Sequence, residues 1–219
     1  SVNGALTVTQ GTLALSTFSH IAGAVTLTSG NITGATGTLT GSSYNVQSGT
    51  VSAILGGAGV ALTKTTTATV TLFGANTYTG VTTVSAGVLL VNGSLAAGAG
   101  AITVADGATL GGTGTVRDIS VASNGTISPG DPNVSGGVGT LTATSADFSV
   151  GGTLLLQVNS LVSFDRLVVT GALTLDGGSV LKLASVPTVS GSATSVIPFG
   201  NLQPTTSAKF AFVDNPSII

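Results

Sequence analysis

Apolar residues return to one backbone slot every 19 positions in the first part of the chain: Leu13, Ile32, Val51, Val70 and Leu89 (32 − 13 = 51 − 32 = 70 − 51 = 89 − 70 = 19). Five residues earlier, Val8, Leu27, Val46, Thr65 and Val84 keep the same step, and between the two slots stand Gly11, Gly30, Gly49, Ala68 and Gly87. A constant step near 20 with one turn residue per unit is the mark of a solenoid, in which each unit stacks on the one before. Within a unit, apolar positions alternate with Thr or Ser, as in Leu6-Thr7-Val8-Thr9 and Val25-Thr26-Leu27-Thr28. Alternation with period two specifies strands with one buried face. The Gln10-Gly11 and Ser29-Gly30 steps supply the corners.

The step then drifts without losing its form: Val104 follows Val84 by 20 and Val121 follows Val104 by 17 (104 − 84 = 20; 121 − 104 = 17). Corner length absorbs such differences. After Ile127 the segment Ser128 to Gly139, with Pro129, Pro132 and several glycines, reads as a projecting loop. Longer units follow, through Thr153–Val158 and Arg166–Leu183, and from Val186 onward Pro187, Pro198, Pro204 and Pro216 break the pattern. The expected organisation is a β-helix over residues 1–184 and an irregular end region of the same domain over 185–219, with a last strand at 209–213.

These features specify an all-β parallel β-helix with about 19 residues per coil in the N-terminal half and longer coils after residue 127. A β-sandwich shares the short Thr-rich strands but has no reason to return one residue type at equal steps. A flat cross-β stack fits the composition, yet the frequent glycine corners favour closed coils. With a mean hydropathy of +0.61 and only 5% charged residues, the chain must bury its aliphatic side chains rather than stay solvated by repulsion. Up to Ala105 the only formal charge is Lys64. A net charge of −2 does not call for nucleic acid. No run is long and apolar enough for a membrane helix, and cysteine is absent, which excludes disulfides and thiolate metal sites.

Gly74-Ala75-Asn76-Thr77-Tyr78-Thr79-Gly80-Val81-Thr82-Thr83-Val84-Ser85-Ala86-Gly87-Val88-Leu89 resembles the autotransporter-associated β-strand repeat of bacterial passenger domains. Asn92-Gly93-Ser94-Leu95, Gly111 to Val116 and Gly125 to Gly130 are similar to segments that follow this repeat. The resemblance spans roughly Gly74 to Leu183, with the earlier coils joined by pattern alone. It implies a right-handed β-helix, secreted or displayed on a bacterial surface, and carries no catalytic residues. The strands of a translocator barrel, which normally close such a protein, do not follow within the sequence.

The acidic residues have simple readings. Asp106 and Asp176 each precede glycine and read as turn formers. Arg117-Asp118 and Asp165-Arg166 read as solvated pairs at corners, and Asp147 stands alone. Polysaccharide cleavage needs converging carboxylates, or a carboxylate-bound Ca²⁺ with a base, and the spacing assembles neither. His20 is the only histidine and lacks partners for a triad or a metal site. Asp131 and Asn133, on the glycine-rich loop, are a weak Ca²⁺ candidate; no other cofactor is expected.

The leading expectation is a non-enzymatic extracellular stalk or self-assembling fibre subunit. The alternatives are an adhesin binding glycan or a host surface through the 128–139 loop and the Thr faces, and a polysaccharide lyase or hydrolase. Ser1 to Leu15 enters the ladder without a cap, so flanking domains or end-to-end stacking against residues 209–213 are the expected partners.

Overall fold

The computed structural model describes residues 4–95, 100–134, 136–160, 162–184 and 211–212. The alternation of the sequence becomes coils of short strands that stack in parallel on their equivalents. A ten-stranded first sheet runs Leu6–Val8, Ala24–Leu27, Ser43–Val46, Leu62–Lys64, Thr82–Val84, Ile102–Val104, Thr115–Val121, Thr140–Phe148, Arg166–Val169, with Leu173–Leu175 also on Thr140–Phe148. An eleven-stranded second sheet runs Thr12–Ser16, Asn31–Gly34, Gly49–Val51, Thr69–Leu72, Val88–Val91, Thr109–Gly112, Thr126–Pro129, Gly152–Ser160, Ser179–Ala184, Ala211–Phe212, with Ser163–Phe164 pairing Gly152–Ser160 antiparallel. A third, three-stranded sheet of His20–Ile21, Thr38–Thr40 and Ile54–Gly56 closes only the early coils. The described chain is thus an all-β parallel β-helix.

The interior is a column of aliphatic side chains: Leu27, Val51, Leu62, Val70, Val84, Leu89, Val104, Leu110 and Ile127 are all within the core cluster. Pairing between coils satisfies the backbone, and burial of the branched side chains supplies the driving force. At the corners, Gly11, Gly30 and Gly49 stack with positive φ (78°, 92° and 113°). A side chain at Gly49 would collide with the carbonyl oxygen of Gly30 directly beneath it, so close stacking and backbone conformation both require glycine.

The pairing corrects the sequence ladder at one point. Val8, Leu27 and Val46 are register partners, but the next partner is Lys64, followed by Val84, so Lys64 and not Thr65 holds the slot. In the second sheet Leu13, Ile32 and Val51 pair in turn, and Val51 then pairs with Leu72 while Val70 pairs with Gly49. The local steps are therefore 18 and 21 (64 − 46 = 18; 72 − 51 = 21). Beyond the slip, Val70, Leu89, Leu110, Ile127, Leu154 and Leu181 form the continuing column.

The slip places three more residues in the corner between Lys64 and Leu72 than lie between Val46 and Val51 (72 − 64 = 8; 51 − 46 = 5). Thr66 there adopts a positive φ of 65°. Lys64 is fully buried, and its ammonium donates to the carbonyls of Thr65 (2.5 Å), Thr66 (2.8 Å) and Ala86 (3.0 Å). One cation thus caps main-chain acceptors that the irregular corner leaves without strand partners. Burial pushes its pKa down to about 8.

The motif Gly74 to Gly80 has a comparable structural role where the third sheet ends. Asn76, 1% exposed, accepts from the Leu55 N–H (2.9 Å) and donates to the Gly74 carbonyl (3.0 Å), acting as a piece of backbone in the wall. Tyr78 enters the core, its hydroxyl 2.7 Å from that of Thr82 and its ring 5.8 Å from that of Tyr44. The Tyr44 hydroxyl accepts from the Gly41 N–H (2.9 Å) and lies 2.6 Å from both the Leu39 and Gly56 carbonyls.

After Ile127 the coils lengthen to 27 residues (154 − 127 = 181 − 154 = 27). Ala211–Phe212 pairs in parallel with Val180 and Leu181, inside the strand expected at 209–213. Lys209, Phe210, Val213 and the remainder of 185–219 lie outside the described residues.

Candidate functional site

Two surface features stand out from the stacked coils. The first is the outward side of the first sheet, where register places Thr7, Thr26, Asn45, Thr63, Thr83, Thr103 and Ser120 in one column. Neutral hydroxyl and amide groups thus repeat at the strand spacing, roughly 4.8 Å. A shorter outward column on the second sheet, Thr12, Asn31, Thr50 and Thr71, gives way to Leu90, Gly111 and Ser128. Along it, the Thr50 hydroxyl donates to the Asn31 carboxamide oxygen (2.6 Å).

The second feature lies on the same sheet as this change of character. Ser128 and Pro129 belong to the Thr126–Pro129 strand and are buried, so the loop expected from Ser128 begins later. Gly130 exchanges two backbone hydrogen bonds with Gly112 (2.9 and 2.7 Å). From there residues 131–134 and 136–138 form a strap that lies back on the second sheet: the Asn133 amide donates to Thr69 Oγ1 (3.2 Å), 64 residues earlier. Leu90 faces outward by alternation, yet it is only 3% exposed and lies outside the core cluster. A Cβ at Gly111 would lie 3.0 Å from Leu90 Cδ2 and 3.0 Å from the Gly130 carbonyl oxygen, so the absence of a side chain lets strap and sheet approach. Ser128 Oγ is buried with no hydrogen-bond partner.

Asp165 anchors the strap's far end. It is 2% exposed, accepting from the Gly139 N–H through Oδ1 and from the Gln157 N–H through Oδ2, both at 2.8 Å. Burial raises its pKa and the two backbone hydrogen bonds oppose that shift. The reading of Asp165-Arg166 as a solvated pair is therefore corrected: the carboxylate ties two otherwise unpaired N–H groups in the interior. Arg117 and Asp118 lie within the Thr115–Val121 strand rather than at a corner, and Asp118 accepts from the Ser145 hydroxyl (2.8 Å).

The other candidates are engaged locally. Asp106 accepts from the Asn124 N–H in the next coil (3.2 Å). Asp147 and Asp176 cap the N–H groups of Ser149 and Gly178 (2.8 Å each). Asp131 Oδ1 accepts from the N–H and the side-chain amide of Asn133 (3.0 and 3.1 Å), so the amide meets the carboxylate with donors. His20 is exposed on its short strand. Among the described residues no three His, Cys, Asp or Glu side chains group as metal ligands, and no helix is long and apolar enough to cross a membrane.

Sequence reasoning missed Gln157, Asp165 as a buried anchor, and the covered outer face. One signal was present for the last: Val88-Leu89-Leu90-Val91 breaks the apolar and polar alternation, and an apolar residue on the outer side of a strand needs a cover.

Comparison with known proteins points the same way. Over 111 residues, half of this chain, the sequence is 42% identical to the adhesin BmaC autotransporter of Brucella suis biovar 1 (strain 1330). Over 120 residues, 54% of the chain, it is 37% identical to an extracellular serine protease of Serratia marcescens. The aligned parts span 3% and 11% of the lengths of those relatives. No protein-family model matches the chain, and no solved structure matches it. With its stacked parallel coils and these two similarities, the chain is an autotransporter passenger-like protein, secreted and surface-exposed.

Proposed function

We propose that the chain serves as a non-enzymatic β-helical stalk or fibre element of a surface protein, with residues 1–184 as the rod and 185–219 as its irregular end. The observation that carries this reading is the continuity of the two long sheets around a filled aliphatic interior. The acidic side chains support it, because those described are committed to turns, to neighbouring coils or to the strap anchor. Sizing and electron microscopy of the isolated segment test the assembling form. Rods that lengthen with concentration support end-to-end stacking, and a stable monomer at high concentration refutes it. Incubation with acidic polysaccharides tests the enzymatic alternative: cleavage that is lost in Asp118→Asn, Asp147→Asn or Asp165→Asn would overturn the structural reading.

A second reading, adhesion to a glycan or host surface, is favoured by the strap and by the neutral hydroxyl columns, which offer hydrogen bonds without charge. The Brucella relative is named an adhesin. Binding to immobilised glycans that disappears when residues 131–138 are replaced by a short glycine turn would support this reading. Binding unaffected by that replacement and by Thr63→Val and Thr83→Val would remove it.

A further inference from the structure

We propose that the strap is a self-cleavage site, in which the Asp131 carboxylate breaks its own peptide bond to Pro132. The inference rests on what surrounds that bond. The Asp131 main-chain carbonyl oxygen accepts from the Val134 N–H (3.1 Å) and from Gln157 Nε2 (3.4 Å). Two donors therefore converge on the atom that would carry negative charge if the carbonyl carbon were attacked. Gln157 is not a mobile surface group: it is 5% exposed, its own N–H is held by Asp165, and its Oε1 has no partner.

The attacking group is held as well. Asp131 Oδ1 is fixed by two donors from Asn133, whose amide is in turn tied to Thr69, and Oδ2 is not engaged by these contacts. The Asp131 N–H donates to the Gly137 carbonyl (2.7 Å), which fixes the residue from its other side. Holding nucleophile and carbonyl in one geometry removes much of the entropic barrier to their reaction. Pro132 supplies the leaving group: a tertiary amide nitrogen takes a proton more readily than a secondary one and departs as a secondary amine.

The step balances without oxidant or cofactor. Oδ2 adds to the Asp131 carbonyl carbon and closes a five-membered ring, with the charge on the carbonyl oxygen. The bond from that carbon to the Pro132 nitrogen then breaks as the nitrogen takes a proton from water, leaving a cyclic aspartyl anhydride. One water opens the anhydride to give Asp131 a free α-carboxylate. The net change is hydrolysis of one peptide bond. Gly130 stays paired to Gly112 and Gly139 stays bound to Asp165, so the nicked chain remains assembled while the strap is freed to leave Thr69.

Intact-mass spectrometry of the chain in mildly acidic buffer tests the proposal. Fragments 1–131 and 132–219 are expected, formed at least about tenfold faster in the folded protein than in the urea-denatured chain at the same pH. In water enriched in oxygen-18, label is expected in both the α- and side-chain carboxylates of Asp131, because either anhydride carbonyl can be opened. Asp131→Asn is expected to abolish the reaction, and Pro132→Ala, outside the coils, to slow it at least about tenfold. Gln157→Leu removes one donor and is expected to cost about 100-fold. Cleavage no faster in the folded than in the denatured chain, label confined to the α-carboxylate, or an unchanged rate in Pro132→Ala would each overturn the proposal.

Discussion

The coils up to Ile127 and the coils after it are built from the same strands, but they handle irregularity in opposite ways. In the first region each coil holds 16 to 21 residues between register partners, and a surplus goes into a corner, as at Thr65 to Ala68. The single charged residue up to Ala105, Lys64, is drawn inward to cap the carbonyls that the corner leaves over. In the second region each coil gains about eight residues over a 19-residue step, and the first surplus leaves the wall after Gly130 and returns to Thr69 on an earlier strand. There a carboxylate, Asp165, is drawn inward to cap N–H groups instead. Surplus main chain thus creates a demand for a buried ion, and the sign of that ion follows from which half of the peptide group is left unpaired.

The contrast can be attacked at four points. The largest effect is expected in the aliphatic column: Leu89→Ala should cost about 2–5 kcal/mol by denaturant unfolding. Leu175→Ala, at a partly buried position late in the rod, should cost clearly less. Equal losses would mean that the late coils are packed as tightly as the early ones. Next, Gly49→Ala should cost more than about 2 kcal/mol, because the new methyl meets the Gly30 carbonyl and the backbone φ is 113°. Gly107→Ala, with φ 71° and open space around it, is the control with the smaller loss.

The two buried ions should separate by pH. The Lys64 pKa falls to about 8 on burial, against a reference of 10.5, so the unfolded chain holds more protons between those values. Stability should therefore rise as pH increases from 8 to 10.5, and Lys64→Met should flatten that rise. The Asp165 pKa is raised above 3.8, so its contribution is fully present in acid and is lost as pH climbs through its folded value. Asp165→Asn should remove that acid-side slope and, by turning an amide toward one of the two N–H groups, cost about 1–3 kcal/mol at every pH. Identical pH profiles for both variants and the parent would break the comparison. The smallest effect belongs to Asn133→Ala: an exposed contact to Thr69 is worth roughly 0.5–1.5 kcal/mol, and the loss should appear as faster amide exchange in the strap rather than lower global stability.

The coil architecture was legible because it follows from local rules: alternation gives the buried face, and glycine marks the corner. The slip after Val51 was not. A shift of two residues leaves Val70 and Leu72 on the same inner face, so periodicity cannot distinguish the two pairings. Lys64 was visible as a lone charge, but burial contradicted its ordinary surface habit, since the carbonyls it caps depend on how long the corner is. Asp165 was hidden for the same reason, its partners Gly139 and Gln157 being brought together only by the strap. The turn aspartates were legible because Asp176 accepts from an N–H only two residues on, that of Gly178.

Hydrogen exchange with mass spectrometry, comparing the parent with a variant whose residues 131–138 are replaced by a short glycine turn, tests the central claim most directly. If the first region is a self-sufficient ladder and the strap an addition to it, amides in the strands from Leu6 to Ile127 should keep their protection. The changes should then centre on Val88–Val91, Thr109–Gly112 and the Gln157 segment. Loss of protection spreading back through the early coils would contradict that division and make the strap part of what holds the rod together.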